Sequence, residues 1–230
     1  MGKKQSKRFR AAAERVDSEK VYEPLEGIQL LKSLPAPKFE EAFEVVVRLG
    51  IDAKKTDQSV RGSVSLPKGI GKTVKIAVFA EGDKAEAAKA AGADYVGGAD
   101  LAQKIEGGFD DFDMTIAAPD MMKFVGKLGR VLGPSGKMPS PKAGTVTPNV
   151  ADAVREFKAG KIEFRNDAGA NVHAAIGRRN FSAEDLRDNL VAFVNHVRGL
   201  KPAQAKGAFI RKVCVSTSMG PGLMVDLGGE

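Results

Sequence analysis

Residues 74–80, VKIAVFA, and residues 83–92, DKAEAAKAAG, decide the class of the fold. The first stretch is almost entirely apolar, which is typical of a strand covered on both faces of a sheet. The second stretch is rich in alanine, and the spacing of Asp83 and Glu86 predicts a capping box at the start of a helix that Gly92 ends. A short buried strand followed by a helix favours an α/β fold with parallel strands.

The same alternation continues toward the C-terminal side. Residues 114–118, MTIAA, predict a second buried strand, and Pro119 leads from it into another helix. A further helix is predicted where three apolar residues are spaced to share one face, namely Val150, Val154 and Phe157. Gly160 ends that helix, and PKGIGK at 67–72 is typical of a hinge. These two breaks predict a separate α/β domain over residues 68–160.

Each end of the chain predicts only a few strands. Four segments have the apolar alternation or β-branched content of strands, and these are 43–49, 161–167, 171–176 and 208–218. The middle two, joined through Asp167, predict a hairpin. Helices are predicted over 6–16, from Pro24 to Pro35, and after a Ser182–Asp185 cap. Because neither end has enough strands for a stable sheet, we expect residues 1–67 and 161–230 to fold together.

The charge of the chain favours a polyanionic partner. The 230 residues carry a net charge of +7, and the sequence pI is about 9.4. Residues 1–67 contribute 13 − 10 = +3 and residues 161–230 contribute 10 − 7 = +3, so the two ends hold six of the seven charges. Five cations precede the first acidic residue, and these are Lys3, Lys4, Lys7, Arg8 and Arg10. A solvated terminus is the alternative explanation of that run.

Several classes of protein are disfavoured. No stretch approaches the roughly 18 apolar residues of a membrane-spanning helix, and residues 1–10 lack a secretory signal, so we expect a cytoplasmic protein. Cys214 is the only cysteine, which excludes an intrachain disulfide, and its apolar surroundings predict a core thiol. With two histidines as its only companions, it cannot form a usual zinc site. We therefore expect no metal and no cofactor.

GKT at 71–73 resembles the end of a phosphate-binding P-loop. The first glycine of that motif would fall on Leu66, and a strand should precede the motif rather than follow it. A nucleotide-using enzyme, with Lys72 at its site, is thus a disfavoured alternative, and we expect no enzymatic activity.

The most unusual stretch is residues 119–150, PDMMKFVGKLGRVLGPSGKMPSPKAGTVTPNV. It has no acidic residue between Asp120 and Asp152, while its cations are Lys123, Lys127, Arg130, Lys137 and Lys142. Its glycines permit close backbone approach and its prolines limit collapse, which suits contact with phosphates. An ordered loop with solvated lysines is the alternative.

A second segment, STSMGPG at 216–222, is unusually polar for the end of a strand. The hydroxyls of Thr217 and Ser218 can bond to phosphate, ribose or base. Met219 offers a soft apolar face, and Gly220 permits close approach. An ordinary turn is the alternative.

Read together, these two segments resemble the family of ribosomal protein L-one, the large-subunit protein of the tRNA-exit stalk. Residues 125–150 closely match the central signature of the family. Further matches follow in family order over nearly the whole chain: KRFRAAAERVD (7–17), KFEEAF (38–43), LGIDAKKTDQSVRG (49–62), EAAKAAGADYVGG (86–98), FRND (164–167), KPAQAKG (201–207) and STSMGPG.

The resemblance implies an α/β protein in which an α+β split domain binds a structured region of large-subunit ribosomal RNA. A Rossmann-like three-layer α/β domain is inserted into it. The implied partners are that RNA, the messenger of the protein's own operon, whose translation it represses, and deacylated tRNA at the exit site. The resemblance further implies a ribosome-associated protein that is a monomer when free. An extra-ribosomal regulator that binds only messenger RNA remains open, because both targets use one surface.

Carried over by motif, the RNA surface includes Lys38, Phe39, Arg165, His173, Thr217, Ser218, Met219 and Gly220. A flanking group of cations is Lys7, Arg8, Lys127, Arg130, Lys137 and Lys142. Plainer roles exist, since Phe39 also suits a core, Lys38 a solvated surface, His173 a structural strand position and Arg165 a balance for Glu163 or Asp167.

Three positions depart from the family pattern, because Ser135 replaces an arginine, Ser140 an asparagine and Ser218 a threonine. The loss of arginine at 135 removes a bidentate phosphate donor from the central loop.

Overall fold

The computed structural model describes residues 6–228, and the chain divides into two compact units. The first unit, called the split unit, contains the chain up to Gly71 and again from Phe164 onwards. The second, called the inserted unit, is Lys72–Glu163. The two ends of the chain therefore pack into one body. The two boundaries lie at 71/72 and 163/164, four and three residues beyond the expected 67/68 and 160/161.

The structure has helices at α1 (Lys7–Ala13), α2 (Pro24–Ser33), α3 (Asp83–Ala90), α4 (Ala99–Glu106), α5 (Met122–Val125), α6 (Gly129–Leu132), α7 (Val150–Ala159) and α8 (Ala183–Gly199). Strands are β1 (Val21–Tyr22), β2 (Ala42–Leu49), β3 (Arg61–Ser65), β4 (Ile76–Phe79), β5 (Tyr95–Gly97), β6 (Met114–Ala117), β7 (Lys161–Arg165), β8 (Asn171–Arg178), β9 (Ile210–Thr217) and β10 (Gly222–Val225). Short 3₁₀ turns cover Thr56–Gln58, Pro119–Met121, Gly126–Leu128 and Pro141–Ala143.

A five-stranded sheet in the order β1-β10-β9-β2-β8 forms the centre of the split unit. Only the β1–β10 pairing is parallel. Strand β2 alternates as its sequence predicts, with Phe43, Val45 and Val47 buried while Glu44 and Arg48 are exposed. Helices α2 and α8 both pack on this sheet and against each other.

The face of the sheet opposite those buried residues carries partly or fully exposed side chains. We call it the outer face, and its residues are Glu44, Val46, Arg48, His173, Lys212, Cys214, Ser216 and Met224. Cys214 lies opposite Val46 and Met224 and is only half-buried, so its prediction as a core thiol is wrong. The cause is the period of two in β9, which turns Val213 and Val215 inward and Cys214 outward.

The predicted hairpin of residues 161–167 and 171–176 is also wrong. Strand β7 pairs with β3 in a two-stranded sheet, whereas β8 pairs with β2 in the large one. The carboxylate of Asp167 accepts hydrogen bonds from the backbone N–H groups of Gly169 and Asn171, at 2.8 and 2.7 Å. This Asx-type turn leads the chain from one sheet into the other. Only an isolated bridge joins Asn166 and Val172.

The inserted unit contains a parallel sheet in the order β5-β4-β6. All four residues of β4 are buried, as its continuous apolar run predicts for a central strand. Helix α3 packs on α7, and α4 packs on α5. Helix α7 ends at Gly160, which adopts the left-handed conformation with φ of 114°. The predicted capping box of α3 is not formed, since Gly82 is the N-cap and no side chain bonds to the first turn.

Within residues 6–228 no helix is long and apolar enough to cross a membrane. The same range contains no group of three or more His, Cys, Asp or Glu side chains placed to hold a metal ion.

Candidate nucleic-acid interface

The STSMGPG segment lies at one end of the large sheet, where β9 leaves β2. The backbone N–H of Ala42 donates to the Ser218 hydroxyl at 3.1 Å, and the Ser218 N–H donates to the Ala42 carbonyl at 3.1 Å. These two bonds fix the position of Ser218, which nevertheless remains exposed to solvent. Its hydroxyl retains accepting capacity toward a partner.

Two large apolar side chains are exposed at this end of the sheet. Phe39, three residues before Ala42, is 54% exposed, and Met219, directly after Ser218, is 52% exposed. Lys38 beside Phe39 is exposed as well. A cation and two apolar groups held in water next to hydrogen-bonding groups are typical of a surface that a partner covers. Phe39 is therefore not a core residue.

The carboxylate of Glu41, which is 1% exposed, lies beneath this surface. Its Oε1 accepts hydrogen bonds from the Thr217 hydroxyl at 3.2 Å and from the Met219 backbone N–H at 3.1 Å. Its Oε2 forms an ion pair with Nη1 of Arg179 at 2.8 Å. One buried carboxylate thus fixes the backbone that presents Met219.

Arg179 extends the network to the end of α2. Its Nη2 donates to the carbonyls of Lys32 and Leu34 at 2.7 and 2.6 Å. From the other side, the Arg8 guanidinium donates to the carbonyls of Pro35 and Met219, both at 3.1 Å. Arg8 therefore holds the segment through its backbone, while its neighbour Lys7 is exposed. Residues from three distant parts of the sequence converge on the turn at 217–220.

The members of that turn have different surroundings. Thr217 is 5% exposed and its hydroxyl is used by Glu41, so the structure places it beneath the surface rather than on it. Gly220 packs so closely that a Cβ atom there would lie 2.3 Å from the Thr217 hydroxyl oxygen. Glycine is thus required at 220 for the turn itself. Ser218 and Met219 are the exposed residues of the turn.

His173 lies on the outer face, opposite Val46 of β2. Thr217 pairs with Phe43, which is three residues from Val46 along β2. His173 therefore lies about 10 Å along the sheet from the start of the 217–220 turn. The His173 Nε2 is 3.3 Å from the carboxylate of Asp167. The pKa of Asp167 is lowered to about 2, first through the backbone N–H of Asn171 and next through its side-chain amide, with His173 a weaker contributor.

Arg165 is exposed at the end of β7, in the two-stranded sheet. The structure therefore does not place it on the sheet that carries His173 and the 217–220 turn.

The central loop of the inserted unit, residues 119–150, is partly helical, because short helical segments cover most of residues 119–132. Ser135 helps to end this run, since its hydroxyl donates to the carbonyls of Val131 and Leu132. Lys127, Arg130 and Lys142 are exposed.

Two other lysines of the inserted unit are engaged within it. The ammonium of Lys137 pairs with Asp110 at 2.6 Å and lies 4.7 Å from the ring centre of Phe112. Lys72, the residue that resembles a P-loop lysine, pairs with Asp113 at 2.6 Å.

Sequence reasoning missed Glu41 and Arg179. The two adjacent glutamates of KFEEAF cannot be distinguished by local sequence. The alternation of β2, continued back to Glu41, places Glu41 on the buried side with Phe43. Arg179 follows Arg178 in the same ambiguous way. No local pattern indicates that these side chains meet across 138 residues.

Comparison with known proteins agrees with the expected family. The model of the ribosomal protein L1p/L10e family matches residues 30–221. Large ribosomal subunit protein uL1 of Kosmotoga olearia is 52% identical, over 97% of this chain and 96% of its own length. The proteins of the same name from a Nocardioides species and from Alkalilimnicola ehrlichii are 55% and 54% identical, each over 96% of this chain and over 92% and 96% of their own lengths. This chain belongs to the ribosomal protein L1p/L10e family.

Proposed function

We propose that the chain is a structural RNA-binding constituent of the large ribosomal subunit, without catalytic activity. We propose further that the split unit binds ribosomal RNA with the surface made by Lys38, Phe39, Ser218 and Met219 and continued by the outer face of its sheet. The names of the relatives, which are proteins of the large ribosomal subunit, support the first statement.

The observation that carries the second proposal is the exposure of Phe39 and Met219 at one end of the sheet, beside Lys38 and Ser218. A phenyl ring and a thioether offer apolar faces to a base or ribose. The lysine supplies charge for a phosphate, and the serine supplies a hydroxyl for a 2′-hydroxyl or phosphate. RNA satisfies all of these groups together.

The buried network supports recognition by shape. Glu41 and Arg179 hold the 217–220 backbone before any partner arrives, so little conformational entropy is lost on binding. A rigid polar and apolar surface of this kind selects a folded RNA through backbone and 2′-hydroxyl contacts more than through a linear sequence.

A quantitative binding assay tests this proposal. The full chain is titrated into stalk RNA of the large subunit and, separately, into unrelated structured RNA of equal length. We expect preferential binding to the stalk RNA, and we expect its affinity to fall with salt according to the number of phosphates contacted. Equal affinity for both RNAs at every salt concentration would refute selective recognition. Co-sedimentation with large subunits at moderate salt separates a ribosomal constituent from an extra-ribosomal regulator.

We also infer two finer roles from the family resemblance. The same surface would bind a similar fold in the chain's own messenger, so added stalk RNA should compete with that messenger and relieve its repression. Bound to the stalk, the chain would assist release of deacylated tRNA, so ribosomes that lack it should release that tRNA more slowly. A messenger that binds without competition would show that a separate surface is used.

A further inference from the structure

A cluster of cations lies at the other end of β9, away from the 217–220 turn. Arg48 on β2 and Lys212 on β9 are directly opposite each other, and both are exposed on the outer face. Like charges directly opposite on neighbouring strands destabilise a sheet. Neither residue has an ion-pair or hydrogen-bond partner for its side chain within residues 6–228. The fold thus retains an unfavourable pair that an anion would relieve.

An irregularity of the sheet adds a third cation to this pair. Arg48 pairs with Lys212, whereas the next residue, Leu49, pairs with Ile210, so Arg211 is the extra residue of a bulge. Its guanidinium lies against Gly50, where an added Cβ would be 3.2 Å from Nε of Arg211 and only 2.2 Å from the Ala208 carbonyl oxygen. Bulges often redirect side chains beside functional sites. Here the bulge places two exposed cations in succession beside Arg48.

A groove of about 650 Å³ adjoins these cations. Arg211 and Lys212 line it, together with the apolar side chains of Val21, Ile210 and Met224. This volume lies within the range of roughly 300–1,000 Å³ that is usual for small-molecule sites. Its lining therefore joins an apolar wall to a positively charged rim.

Two further charged residues of the lining are engaged elsewhere. The Arg198 guanidinium donates to the carbonyl of Gly228 at 2.9 Å, and the Asp226 carboxylate accepts from the Gly228 N–H at 2.9 Å. These backbone partners are neutral, so both groups keep their charges, and the lining of three cations and one anion is positive on balance.

We propose that this cluster and groove form a nucleotide subsite for RNA, in which Arg48, Arg211 and Lys212 bind a phosphate and the groove takes the attached unstacked base. The subsite rests on the proposed function, because Arg48 and Lys212 lie on the outer face that continues the proposed RNA surface. From these cations the groove extends toward Val194 and Arg198 of α8. Ser218 follows Lys212 by six positions, which is about 20 Å along a strand. One folded RNA therefore spans both places. An acidic peptide would match the charge of the cations, but its carboxylates would not fill the apolar part of the groove.

Salt dependence of binding to stalk RNA tests the phosphate contacts in the full chain. For Arg48→Ala/Lys212→Ala we expect the slope of log affinity against log salt to become shallower by about 0.7–0.9, the change for one neutralised phosphate. The control is Arg187→Ala on α8, which packs on the opposite face, and its slope should match the unaltered chain. Because repulsion is removed, the thermal midpoint of the double variant should be unchanged or higher.

Photo-crosslinking tests the groove. Stalk RNA that carries 4-thiouridine should crosslink to residues 210–212 or 221–228, and the crosslink should be lost with Val21→Glu, which adds a negative charge at the groove. An unchanged salt slope in the double variant, or absence of the crosslink, would overturn the subsite. Displacement of the labelled RNA from these residues by an acidic peptide, with an unchanged salt slope in the double variant, would assign the groove to a protein partner.

The outcomes separate this subsite from the proposed function. If Phe39→Ala/Met219→Ala abolishes selectivity while Arg48→Ala/Lys212→Ala changes nothing, only the subsite fails. If the second variant lowers the salt slope and the first has no effect, the proposed surface fails and the subsite stands. If neither variant alters binding, both proposals are refuted.

Discussion

The backbone N–H of Met219 donates a 3.1 Å hydrogen bond to the carboxylate of Glu41, a buried group that comes from the other end of the chain. The same carboxylate is neutralised by Arg179 at 2.8 Å. The exposed thioether therefore sits on a backbone that a buried ion pair holds in place, and the relationship gives the first prediction.

Glu41→Ala should weaken binding to stalk RNA by about tenfold or more, because Met219 loses its anchor. It should also lower the free energy of unfolding by about 3 kcal/mol, since Arg179 is left without its partner. Electrostatics alone predicts the opposite effect on binding, because the change removes a negative charge near RNA. The control is Val47→Ala, farther along β2, compared in binding at a temperature where each variant is fully folded. Tighter or unchanged binding by folded Glu41→Ala would contradict a positioning role.

Cys214 provides a probe of the outer face. Burial raises the pKa of its thiol, so alkylation by iodoacetamide at pH 7 should be slow and should accelerate as pH rises through 9. Bound stalk RNA should slow the reaction further, because it covers the face on which the thiol lies. Mass spectrometry of the alkylated fraction measures both effects. An alkylation rate that stayed constant on addition of saturating RNA would show that this face is not covered.

Asp167 should make stability depend on pH in the acid range. Its folded pKa of about 2 lies below the unfolded value near 3.9, so its contribution is complete above about pH 4 and is lost as pH falls toward 2. Asp167→Ala should therefore destabilise the chain at pH 7, by about 1 kcal/mol or less because the group is exposed. The difference from the unaltered chain in thermal unfolding should disappear near pH 2. A difference that persisted at pH 2 would assign the effect to another cause.

The lysines of the inserted unit should differ in their contributions to stability. Lys137→Ala removes the ion pair with Asp110 and the contact with Phe112, and we expect a loss of about 1 kcal/mol. Lys127→Ala, at an exposed position, should change stability by less than about 0.5 kcal/mol. Calorimetric unfolding compares the two variants. Equal effects would mean that the pairing of Lys137 does not persist in solution.

The sequence predicted those parts of the fold that depend on local periodicity. The apolar run of β4, the alternation of β2, the Ser182 cap of α8 and the left-handed Gly160 all follow from neighbours within a few residues. The failures have a shared physical cause. Which strands pair is a long-range property, so β7 and β8, adjacent in sequence, join different sheets.

The motif of the candidate site could be predicted from the sequence, whereas the buried residues that hold it in place could not. STSMGPG indicated an unusual strand end, and exposure of Ser218 and Met219 agrees with that interpretation. The inward turn of Thr217 depends on Glu41, whose sequence position is 176 residues away. The opposed Arg48 and Lys212 likewise become visible only once β2 and β9 are paired.

The most direct test of the account is the affinity of Phe39→Ala/Met219→Ala for stalk RNA, relative to its affinity for unrelated RNA. Both side chains are exposed, so thermal stability should stay within about 0.5 kcal/mol of the unaltered chain. We predict a loss of about 1–3 kcal/mol of binding free energy for the stacking contact of Phe39, with a further loss for the apolar contact of Met219, both confined to the stalk RNA. A folded double variant that bound stalk RNA with undiminished affinity and preference would contradict the account.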